Sequence, residues 1–262
     1  MRLWDLPSCR APSFLLAPAI PLFSFTALIS NRLPSRRRKT SPGIGSGIFP
    51  SARSIAIISN ATKVSRCWCL LDTEDARADI TAWRAAGLQT YAPIDFSRAA
   101  KIVDGQEITL SFSLAFVSHP AAPWLGLFAC QHHTPAYFAQ PRYLQHANGA
   151  TAIQDVWIVG ETAPDLAGFM QAVTGAKAIS EDPSVTVLQT RIGAIVLARP
   201  VAFASAFGLT APHQDDGPHL AALTVACQTM GQLADLPKVG DRHVLAPEKN
   251  FGTAIGFVTT KR

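Results

Sequence analysis

The sequence predicts an α+β fold made of tandem units in which a strand and a helix are followed by three strands, with the first domain incomplete. Three observations carry that expectation. From Leu71 onward, apolar runs of period two alternate with short stretches of period 3.6, punctuated by Gly, Asp and Pro. The order of strand, helix and three strands recurs after residue 144. Finally, 262 residues at 48% hydrophobic composition can bury one large core or two modest ones.

In chain order, the first helix is expected over Asp75 to Ala86 (DARADITAWRAA), with Ile80, Trp83 and Ala86 on its inner face. Asp72 or Thr73 caps its start and Gly87 ends it. Tyr91 to Phe96, Glu107 to Val117 (EITLSFSLAFV) and Leu125 to Cys130 (LGLFAC) read as strands, the first two separated by the turn Asp104-Gly105. After 144 the sequence gives a strand over Ala152 to Val159 and a helix over Ala163 to Val173 closed by Gly175. Strands at Val185 to Gln189 and Ile192 to Leu197 follow. A last unit runs from the strand Leu220 to Ala226 through a weak helix near Met230 to Leu236, ending on the strand Gly252 to Val258. Each unit leaves one sheet face uncovered, so paired units should curl around a shared cleft. The division is therefore an irregular basic segment over 1–70, a second unit of a truncated first domain over 71–143, and a second domain over 144–262.

Residues 1–69 differ in kind. They hold ten Lys and Arg against the single acid Asp5, whereas the rest holds thirteen against seventeen acids. The basic balance therefore belongs to this segment alone and does not argue for specific nucleic-acid binding by the folded part. The apolar run Phe14 to Ile29 is interrupted by two prolines, which removes a membrane span, and its Arg cluster follows where an export signal would have it precede. An organelle transit peptide fits the composition better. A wrong reading frame up to about Leu70 explains the seam best. Read from the third base of each codon, Cys67-Trp68-Cys69 becomes Leu and then Val, which is strand-like. On that reading residues 1–69 should be poorly packed and should not complete the first sheet.

Five scattered cysteines give no disulfide framework and no CxxC pair, so a reducing, cytoplasmic setting is expected. No GxSxG, phosphate loop or GxGxxG occurs.

The unit order, together with Ser111-Phe-Ser-Leu-Ala-Phe116, the run Gly126 to Pro135 (GLFACQHHTP), Tyr137-Phe138 and His146-Ala-Asn-Gly-Ala150, resembles the glyoxalase-like branch of the vicinal oxygen chelate superfamily. The resemblance covers 71–262 and is most specific between 107 and 150. It implies the glyoxalase/bleomycin-resistance type of fold and a divalent metal ion held by His and carboxylate side chains from facing strands, acting as a Lewis acid on a small oxygenated substrate. Because the family's first unit would lie upstream of Leu71, the ligand set is expected to be incomplete here.

The metal candidates are His132 and His133, although alternation along the strand lets only one of them face the cleft. A strand-end His pair also reads simply as two partly exposed hydrogen-bonding groups. Phe128, Gln131, Tyr137 and His146 are the candidate substrate contacts, His146 serving equally as a buttress of the Asn148-Gly149 turn. Glu161 is expected in the first turn of the following helix, His213 and His219 in a polar linker, and His243 on the surface. Two functions follow, beside a third reading in which the chain is an inactive frameshifted product. One is a metal-dependent lyase, isomerase or dioxygenase, which needs three convergent ligands. The other is a non-catalytic binder of a small molecule, which needs aromatic walls such as Trp83, Phe128, Tyr137 and Trp157. The partners expected are a small-molecule ligand and a second copy in a homodimer, with no membrane.

Overall fold

A computed structural model describes residues 26–29, 67–101, 105–137, 145–212, 217–250 and 252–260. The expectations for residues 1–25 and 30–66 lie outside these.

The seam itself is a strand. β2 (Cys67–Thr73) runs parallel to β6 (Leu125–His132) and antiparallel to β1 (Thr26–Ile29). Its Cys69 and Leu71 point into the core at 1% and 2% exposure, Cys69 acting as a small apolar side chain. Because Asp72 and Thr73 are still paired with Cys130 and Gln131, neither caps the helix that follows. Asp75 does: its carboxylate accepts from the backbone N–H groups of Arg77 and Ala78 at the start of α1 (Ala76–Ala85). Ala76, Ile80 and Trp83, at i, i+4 and i+7, form the buried face. Ala86 is exposed instead, and Gly87 at φ +75° turns the chain out.

β3 (Gln89–Thr90) and β4 (Ile94–Lys101) both pair with β5 (Glu107–Ser118), which pairs in turn with β6. The first sheet is ordered β1-β2-β6-β5-β3, with β4 alongside β5.

The second sheet contains two units of the same kind. β7 (Ala150–Val159) leads through a 3-10 turn at Pro164–Leu166 into α2 (Ala167–Thr174), closed by Gly175 in the left-handed region. β8 (Lys177–Asp182), β9 (Val185–Gln189) and β10 (Ala194–Ala198) complete the unit, β10 returning parallel to β7. After α3 (Pro200–Phe207) the pattern repeats in β11 (His219–Cys227), a 3-10 turn at Gly231–Asp235, β12 (Lys238–Val239), β13 (Arg242–Leu245) and β14 (Ala254–Thr259). Here β14 returns parallel to β11. β7 and β11 meet antiparallel at the centre, giving the order β12-β13-β14-β11-β7-β10-β9-β8.

The two sheets share a core. Leu71, Ile80, Trp83, Ala115, Leu127 and Ala129 of the first pack with Val156, Ile158, Phe169, Met170, Leu188 and Leu197 of the second. Trp83 stitches the two helices together, its indole N–H donating to the Val173 carbonyl at 3.0 Å in a buried position. No helix among the described residues is long and apolar enough to cross a membrane.

Candidate functional site

Alternation along β5 and β6 sends two sets of side chains to opposite faces of the first sheet. On the face away from α1, Ile108, Leu110, Phe112, Phe116, Phe128 and Cys130 are buried together. Phe116 stacks on Phe128 at 5.3 Å and Phe96 on Phe112 at 4.8 Å. At one end this face keeps partial exposure, at Phe96, Leu114, His132 and Tyr137. His132 stands edge-on to Phe112 at 5.1 Å and 72°. Burial, with His133 next to it, holds the His132 imidazole below its ordinary range, so it is neutral at pH 7. Cys130 is inert, because burial and the nearby Asp72 push its thiol up to about 12. The Asp72 carboxyl is itself pushed up, first by burial and then by Glu74.

Gln131 and His133 face the other way, toward α1. The Gln131 amide donates to the Glu74 carbonyl at 2.6 Å and accepts from the Ala76 N–H at 3.3 Å, tying the end of β6 to the start of the helix. His133 Nε2 lies 2.8 Å from the Ser113 hydroxyl, which donates to Asp95 at 2.5 Å. Ser113 must therefore accept from His133, making Nε2 the protonated nitrogen. Asp95 is paired with Arg77 at 2.7 Å, and that guanidinium, followed by Ser113, holds its carboxyl below the usual range. Ser, His and Asp thus meet without forming a nucleophile: the hydroxyl proton points to the carboxylate and Ser113 is 1% exposed.

Of the other residues singled out, Tyr137 packs half-buried against the aromatic face, and His146 is exposed in a turn where its carbonyl accepts from Gly149 at 2.9 Å. Glu161 is exposed in the turn before Pro164. His219 is buried at the start of β11, its Nδ1 2.8 Å from the Gly217 carbonyl, where a linker was expected. His243 is half-buried on β13 because that strand, unread in the sequence, carries it inward. His213 lies outside the described residues.

Among the described residues the donors do not fit a metal centre. His132 and His133 diverge across the sheet, and on the face of His132 the neighbouring sulfur is a thiol that stays protonated. Among the described residues no three His, Cys, Asp or Glu side chains are grouped to hold a cation. Sequence reasoning also missed a cavity of about 590 Å³ at the seam of the two sheets, lined by Asp72, Asp79 and Trp83 from one side and Val173 and Arg191 from the other. Its walls come from segments some hundred positions apart, and no local pattern marks it.

No protein-family profile matches the chain, and no curated protein sequence matches it. Solved structures do. A hypothetical protein from Staphylococcus aureus is 9% identical over 77% of this chain and 70% of its own, with a TM-score of 0.54. The Mn(II)-bound glyoxalase from Novosphingobium aromaticivorans is 12% identical over 74% and 62%, at 0.43. Homoprotocatechuate 2,3-dioxygenase from Arthrobacter globiformis is 13% identical over 74% and 60%, at 0.40. At these identities the likeness is one of fold. Three units, each a strand, a helical segment and further strands with the first and last strands parallel and adjacent, give the chain an α+β fold of tandem βαβββ-type units, the fold it shares with the Staphylococcus aureus protein.

Proposed function

We propose that this protein binds a small, flat, largely apolar molecule at the half-open end of the first sheet's aromatic face, without catalysing its conversion. The observation that carries this reading is the pairing of aromatic walls with a neutral imidazole: His132 stands edge-on to Phe112, on which Phe96 stacks, and Tyr137 packs against the same face. Apolar pockets with one or two placed polar groups are what small-ligand sites require. The rings supply the affinity, and the neutral imidazole at their edge places no charge against an apolar ligand. Gln131 and His133 contribute by fixing the strand end that carries His132. The same reading takes the protein to be a cytoplasmic homodimer.

The test uses 1-naphthol as probe, titrated calorimetrically into the full chain before and after treatment with EDTA. Binding should be unchanged by the chelator and weakened about tenfold by Phe96→Ala, the equivalent of about 1.4 kcal/mol of aromatic contact. Stoichiometric metal in the purified protein, with binding lost on its removal, would sink this reading in favour of a metal-dependent enzyme.

A further inference from the structure

The second sheet has a face equivalent to the aromatic face of the first, and α3 lies across it. The helix begins with Pro200 at its first position and ends on Gly208 in the left-handed region, so its length is fixed at both ends. Its inward side chains, Phe203 and Phe207, are 0% exposed and stack on each other at 4.9 Å. Beneath them Trp157 of β7 meets Phe207 edge-on at 5.2 Å. Arg242 of β13 holds its guanidinium carbon 5.5 Å over the Phe207 ring and 5.7 Å over Trp157. Asp155 accepts the Trp157 N–H at 2.7 Å and lies 3.8 Å from Arg242, whose Nε is 3.4 Å from the Thr224 hydroxyl. Gly256 makes the room: a Cβ there would come within 3.0 Å of Arg242 and 3.2 Å of Phe207.

A face that needed only to be filled would carry apolar side chains throughout, because burying an ion pair is costly even when it is well paired. This face instead aims a cation at the flat side of one ring and sets a second ring edge-on to it, the arrangement that recognises an aromatic π-system. We infer that the second sheet carries a binding site for a flat aromatic ring, and that the chain fills it with its own Phe207. The site takes no outside ligand while α3 is in place.

Phe207→Ala in the full-length chain tests this with two probes of equal size, toluene and methylcyclohexane, followed through the NMR shift of the Trp157 indole N–H. The variant should bind toluene at least about tenfold more tightly, since only the aromatic ring gains from the cation above it. Adding Arg242→Met should abolish that preference, and wild type should bind neither probe at this face. Equal binding of the two probes, or a preference that survives Arg242→Met, overturns the inference. Hydrogen exchange on wild type tests it without any substitution. The α3 amides and the Trp157 indole N–H should exchange only through global unfolding; their exchange in a smaller opening that leaves β7 and β11 protected would make the face a gated site, and the self-filled reading would fall.

Discussion

Asp155 and His132 carry opposite pH signatures. Burial raises the Asp155 carboxyl against the hydrogen bonds and the Arg242 charge that oppose it, so the folded chain holds this proton more tightly than the unfolded chain does. Its contribution to stability is fully present below the ordinary value of 3.8 and is lost as pH rises through the folded value. Asp155→Asn, which keeps an acceptor for the Trp157 N–H, should flatten this part of the stability curve and be no less stable than wild type at pH 7, as urea unfolding between pH 4 and 7 would show. For His132 the folded value is depressed, so its contribution is present above the ordinary 6.5 and lost as pH falls through the folded value. Binding of 1-naphthol should weaken over that same fall, as calorimetry at stepped pH would report. Cys130, with its thiol near 12 and 3% exposure, should resist iodoacetamide at pH 8 in the native chain and react once it unfolds, a contrast that mass spectrometry reads directly. At this scale the sequence was half legible. Period-two alternation forced His132 and His133 apart, but nothing near Gln131 announced that its partner would be Glu74, 57 positions back.

Elements with a polar side were legible, and those without one were not. α1 shows its buried face through spacing because charged residues occupy the rest of its turns. α3 reads PVAFASAF, apolar all round, and no period stands out against that background. β8 fails for the opposite reason: as an edge strand of sequence KAISED, with Ile179 left 62% exposed, it lacks the alternation of a half-buried strand. β12 and β13 are simply too short to signal. Two substitutions test the elements. Asp75→Ala should cost about 1 kcal/mol by removing the acceptor for two N–H groups of α1. Phe203→Ala should cost about 3–5 kcal/mol, the range for emptying an aromatic position with no exposure, and thermal unfolding would register both.

For the whole molecule, the order of units was readable from turn residues and period changes, while the way the sheets join was not, since that depends on Trp83 finding the carbonyl of Val173, 90 positions later. Because both sheets contribute to one core, heating should give a single calorimetric transition; two resolved transitions would show that each sheet unfolds alone.

The bond from Trp83 to Val173 also sets an order of events at the ribosome. Segments usually fold from the N-terminus as they emerge. Here the core that the two sheets share is incomplete until α2 and the strands through β10 have been synthesised. The nascent first half must wait with its side of this shared core only partly covered, which makes it a client for chaperones and a target for proteases over the time needed to translate some seventy further residues.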